Sequence, residues 1–90
     1  MEIQRYNQIM AEAKKAANHH FLYILGNGWK LLGRKNRISP VEGDENKFRY
    51  NGKFQNGTRI ASVITKVYKP LLGSQHVFED QPIQYTTLGN

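Results

Sequence analysis

Arg59-Ile-Ala-Ser-Val-Ile-Thr-Lys-Val-Tyr-Lys69 sorts its side chains by character, and that sorting restricts the fold more than any other segment does. At 3.6 residues per turn, Ile60, Val63, Ile64, Val67, Tyr68 and Leu71 share one side, while Arg59, Ser62, Lys66 and Lys69 share the opposite one. The apolar side must be buried against another layer. The spacing therefore predicts an amphipathic helix over 59–69, entered through a turn and N-cap at Asn56-Gly57-Thr58 and stopped at the Lys69-Pro70 step.

An N-terminal amphipathic helix is expected from about Glu2 to His19, which makes the 59–69 segment the second helix of the chain. Ile3, Tyr6, Ile9, Met10, Ala13, Ala16 and Ala17 recur there at helical spacing. Its face is alanine-rich toward the end, so it can approach a sheet closely, with Tyr6, Ile9 and Met10 as anchors. Phe21-Leu-Tyr-Ile-Leu25 and Trp29-Lys-Leu-Leu32 flank Gly26-Asn-Gly28 and read as a hairpin. Gly33 to Pro40 reads as a basic turn and loop, and Val41 to Asn46 as an exposed acidic loop.

Lys47-Phe-Arg-Tyr50, Asn51-Gly52 and Lys53-Phe54 read as a second hairpin, with Phe48 and Tyr50 on one face and Lys47 and Arg49 on the other. One or two strands are expected between His76 and Leu88, with Pro82 placing them at an edge. The fold class is α+β: an antiparallel sheet of two hairpins and a C-terminal strand, packed with an N-terminal helix and a second amphipathic helix. Ninety residues without repeat or linker set the expectation of one small basic domain over 1–90.

Thirteen Lys and Arg against seven Asp and Glu give a formal charge of +6, which favours anionic partners. From Lys47 to Phe78 there are six basic residues and no acidic one. The chain has no cysteine, which removes disulfides, thiolate zinc sites and cysteine nucleophiles. No secretion-signal layout and no run of about 20 apolar residues is present, so a cytoplasmic location without a membrane partner is expected.

Two basic groups are candidate nucleic-acid contacts. Arg59, Lys66 and Lys69 lie on the charged side of the 59–69 segment, and Arg34, Lys35 and Arg37 lie in the basic turn beside Trp29. The alternating bases and rings of Lys47 to Phe54 suit single-strand binding, although any half-buried strand shows the same alternation. No RRM, KH or zinc-finger signature is present. Tyr50-Asn-Gly-Lys-Phe54 leading into Ile60-Ala-Ser62 resembles, over that short segment, the hairpin-then-helix units of nuclease-associated DNA-binding repeats, without a catalytic motif.

His19, His20, His76, Glu79 and Asp80 are the raw material for acid-base or metal chemistry, but their spacing matches no metal motif. Glu42, Asp44 and Glu45 lack the ligand pattern of a calcium loop. The expectation is a non-enzymatic basic module without cofactor or metal that contacts nucleic-acid phosphates. The alternative is an inhibitor, adaptor or assembly subunit, of the kind found among phage and mobile-element accessory proteins, docking on an acidic protein surface.

Overall fold

The computed structural model describes residues 3–88 and is α+β: one long helix packed on a six-stranded antiparallel sheet. Helix α1 spans Ile3–Leu25; strands follow at Lys30–Leu31 (β1), Arg37–Val41 (β2), Asp44–Asn56 (β3), Arg59–Tyr68 (β4), Val77–Asp80 (β5) and Gln84–Thr87 (β6). The long β3–β4 hairpin is the spine. Strands β1 and β2 both pair with β3 on one side, and β5 and β6 both pair with β4 on the other.

The second helix does not form: residues 59–68 are strand β4, and no helix covers 59–69. Ile60, Val63, Ile64, Thr65 and Val67 are β-branched and stiff at χ1, which favours a pleated strand over a helix. Ala61, Val63, Thr65 and Val67 alternate as buried positions, a period of two that coexists with the helical one. Leu71, expected on the buried side, is fully exposed in the loop after β4. Asn56-Gly57-Thr58 is a turn, but it caps no helix. Asn56 pairs with Arg59 across Gly57 and Thr58, and positive φ falls on Gly57 (61°) and not on Thr58, as a type II′ hairpin requires. The segment likened to a hairpin-then-helix unit is therefore part of two long strands.

Phe21–Leu25 belongs to α1, not to a hairpin. Phe21 continues the Ala13, Ala17 series at i+4, so the aromatic run extends the buried helix face. Gly26 ends the helix with φ 94°, its N–H donating to the Leu22 carbonyl at 3.1 Å. The expected start of this helix at Glu2 lies outside the described residues. Beyond the turn only Lys30 and Leu31 are extended, and Trp29 precedes the strand. Within the expected basic turn, Gly33–Lys35 is one turn of 3₁₀ helix, but Arg37–Val41 is strand, with Pro40 tolerated because β2 is an edge. The acidic segment contracts to a turn at Glu42 and Gly43 (φ 83°), which joins β2 to β3.

Asn51-Gly52 is no turn. Strand β3 runs straight through it, with Gly52 opposite Val63. A Cβ at Gly52 would lie 2.6 Å from the Tyr50 hydroxyl and 2.8 Å from Asn36 Nδ2, so the glycine makes room for a buried polar group rather than for a bend. The Asn36 amide lies 2.6 Å from the Tyr50 hydroxyl, which also bonds to Asn18 on α1. Burial pushes the Tyr50 phenol up to about 12, against an opposing effect of the Asn36 hydrogen bond.

The helix covers one sheet face. Phe48, Tyr50 and Phe54 of β3 share that face with their partners Val67, Thr65 and Ala61 of β4, and all are buried. The buried alanines Ala13 and Ala17 bring the helix close, and Phe21 stacks 5.9 Å from Tyr50 and 6.3 Å from Phe54. Tyr6 packs 5.9 Å from Phe48 at the other end, and Phe78 of β5 touches both parts of the core. The two C-terminal strands form where expected, with Pro82 between them.

Candidate nucleic-acid interface

The face of the sheet that α1 leaves open collects the charge. Because directly paired residues share a face, the alternation of β3 places Lys47, Arg49, Asn51, Lys53 and Gln55 there, opposite Tyr68, Lys66, Ile64, Ser62 and Ile60 of β4. Arg37 joins them opposite Asn51, and Lys30 opposite Gln55. Six cations, Lys30, Arg37, Lys47, Arg49, Lys53 and Lys66, therefore share one face of a molecule 47 Å long.

Glu79 of β5 shares that face, opposite Lys66. Its Oε2 accepts from Lys47 Nζ at 3.1 Å, and this hydrogen bond raises the Lys47 pKa. Lys47 also lies 4.9 Å over the Tyr68 ring. Arg49 and Lys66 stand directly opposite each other, and among the described residues neither is in an ion pair. Like charges so placed cost stability. The hydrophobic groups on this face include Ile60, Ile64 and Tyr68 of β4 and Val77 of β5, the partner of Tyr68.

The six residues expected to contact nucleic acid are only partly brought together. Arg37 and Lys66 are on the open face, in adjacent rows of the sheet. Arg34 and Lys35 are exposed in the 3₁₀ turn at the β1–β2 edge, near Lys53, whose carbonyl accepts from Leu32 N at 3.0 Å. Arg59 points to the helix side, where its guanidinium lies 4.9 Å from the Tyr85 ring centre and 5.7 Å from that of Trp29. Lys69 lies beyond β4, lining a cavity of about 370 Å³ with Arg5, Glu12 and His76. Burial and then the Lys69 charge hold His76 below its usual pKa, with Glu12 opposing.

Lys30, Lys47, Arg49 and Lys53 lie outside those six contacts, although the sequence sets Lys30 in the basic group beside Trp29 and gives Lys47 to Phe54 an alternation suited to single-strand binding. The signal for three of them was the alternation of Lys47 to Phe54, once that run is read as one strand instead of a hairpin. The same alternation turns Phe48, Tyr50 and Phe54 under the helix, so those rings are unavailable for stacking on bases.

The acid-base group does not assemble. His20 Nε2 lies 2.7 Å from Asp80 Oδ2 and its ring stacks 3.9 Å from that of Phe78, while Glu79 faces the other side of the sheet with Lys47. Among the described residues no three His, Asp or Glu side chains gather closely enough to hold a metal ion. No helix among them is long and apolar enough to cross a membrane. Comparison with protein-family models, with curated proteins and with solved structures finds no match to this chain.

Proposed function

We propose that the protein is a non-enzymatic module whose open sheet face binds the phosphate backbone of nucleic acid. The observation that carries this is the arrangement of Lys30, Arg37, Lys47, Arg49, Lys53 and Lys66 on the one face that α1 leaves open. Folding alone gives no reason to set Arg49 against Lys66, because the pair opposes strand association. A polyanion laid across the face neutralises both charges, with counterion release supplying much of the affinity.

Along β3 the open-face positions recur at about 6.7 Å, twice the rise of a strand, which sets Lys47 and Arg49 one such step apart and Lys53 about 13 Å further, a row that can follow a backbone along the long axis. Contacts of this kind position a ligand without reading its sequence. The test is fluorescence anisotropy with duplex and single-stranded DNA and RNA across a salt series. The expected result is binding at low salt that weakens steeply as salt rises; no detectable binding to any of the four at low ionic strength refutes the reading.

A second reading has its own observation: Leu71 and Leu72 are fully exposed in the loop next to Lys69, an apolar pair beside a cation that suits an acidic protein partner. Stoichiometric copurification of a protein free of nucleic acid, lost on Leu71→Ser/Leu72→Ser, decides for it.

A further inference from the structure

Trp29, Arg59 and Tyr85 meet at the end of the sheet where β3 turns into β4. Three separate segments supply them: the loop after α1, the first residue of β4, and strand β6, where Tyr85 pairs with Ala61. The two ring centres are 5.9 Å apart at 58°, with the guanidinium over both. Trp29 is anchored against the core, which fixes the cluster, while Arg59 is exposed and Tyr85 is 49% exposed.

The cluster does little to close the fold. Every residue of β6 is exposed, so Tyr85 is not part of the buried core, and among the described residues no carboxylate pairs with Arg59. An anchored indole, a guanidinium without a carboxylate partner and a half-exposed phenol ring tilted 58° to the indole form a positively charged aromatic platform. Nucleobases stack on such side chains regardless of sequence.

Position links the platform to the open face. Lys53 lies three residues before Asn56, the partner of Arg59, about 10 Å along the strand, so a backbone following Lys47, Arg49 and Lys53 on the open face reaches the platform by rounding the end of the β3–β4 hairpin to the helix side. We infer that Trp29, Arg59 and Tyr85 stack an unpaired nucleobase, which makes the ligand a single strand or a strand with an unpaired end. This rests on the nucleic-acid reading of the open face and narrows it. The bases of an intact duplex are stacked on one another and offer no free plane along the helix.

Trp29 is the sole tryptophan, so its emission reports on the platform directly. The full chain is titrated at one salt concentration with a single-stranded oligothymidylate and with a blunt-ended duplex of equal length. The single strand is expected to quench Trp29 and the duplex to leave its emission unchanged. Tyr85→Ala is expected to weaken single-strand binding about tenfold, the scale of one lost base stack, and duplex binding by less than twofold. Tyr85→Phe retains the ring and is expected to bind as the parent does, and a thermal melt of each variant verifies that it is folded.

Equal weakening of both ligands by Tyr85→Ala, or single-strand binding that leaves Trp29 emission unchanged, overturns the inference. If Tyr85→Ala binds normally while Arg49→Gln weakens binding, the platform assignment fails and the open-face reading stands. If no nucleic acid binds and Tyr85→Ala instead releases a copurifying protein, both fail.

Discussion

Replacing Arg49 by glutamine should make the protein more stable and a poorer ligand for nucleic acid at the same time. Arg49 stands directly opposite Lys66, where Cβ atoms of paired strand residues are about 5 Å apart. With the two charged heads about 7 Å apart in a water-like dielectric, the repulsion is about 0.6 kcal/mol, in line with the range for opposed like charges in sheets. Glu79 stands opposite Lys66 on its other side, but its Oε2 is engaged by Lys47 and leaves most of that repulsion in place. Relief of about 0.5 kcal/mol corresponds to a rise of about 2–4 °C in Tm for a chain of this length. Calorimetry at low salt measures it, and the gain should shrink at high salt because the repulsion is screened. Lys66→Gln should give a similar gain, and the double variant little more than either single one, because the interaction is removed once. Binding moves the other way: losing one phosphate contact flattens the salt dependence by about 0.9 in the log–log slope on duplex DNA, roughly a threefold smaller loss of affinity between 50 and 200 mM salt. The reasoning is refuted if either single variant lowers Tm, if the double variant gains the sum of the two, or if the salt slope is unchanged.

Gly52→Ala should destabilise by about 1–3 kcal/mol, since the new methyl lands within 3 Å of both the Tyr50 ring and Asn36; a loss below about 0.5 kcal/mol in urea unfolding shows that the packing there yields. The Tyr50 phenol, at about 12 in the fold and 10 in the unfolded chain, contributes stability that is complete below pH 10 and is lost as pH rises toward 12, at about 1.4 kcal/mol per pH unit. Tyr50→Phe should remove that part of the alkaline loss, and identical alkaline profiles for parent and variant rule it out. Phe21→Ala should cost about 3–5 kcal/mol, whereas Tyr23→Ala, at a position 88% exposed, should cost under about 0.5; comparable losses would contradict the extension of α1 through Leu25.

The α+β class, the alanine-rich approach of α1 and the two C-terminal strands were legible because each rests on a pattern with one geometric solution. Ala13 and Ala17 can bring a helix near a sheet whatever the sheet's order, and Pro82 permits only an edge. The 59–68 segment has two solutions. Ile60, Val63, Ile64 and Val67 lie on one side of a helix, and Ala61, Val63, Thr65 and Val67 on one side of a strand, so periodicity alone does not choose. Five β-branched residues favour the strand, and pairing along the whole length of β3 settles it. Asn51-Gly52 misleads for a different reason: the glycine makes room for the Tyr50 hydroxyl together with Asn36, a pairing across 14 residues of sequence that no local rule contains.

The helix-to-strand change alters the chemistry as well as the topology. On a helix, Arg59, Ser62, Lys66 and Lys69 form one stripe; on a strand, alternation sends Arg59 to the side of Trp29 and Tyr85 and leaves Lys66 among the cations of β3. Lys69 falls beyond the strand, beside His76. One expected site thus divides into a charged face and, across the sheet at its end, an aromatic cluster. The acid-free run from Lys47 to Phe78 gains its physical reason in this arrangement. It includes nearly all of the central hairpin, where a carboxylate on the open side would neutralise the neighbouring strand's cations. Glu79 enters only on β5, at the margin, and there it engages Lys47 while Arg49 and Lys66 remain without an ion pair.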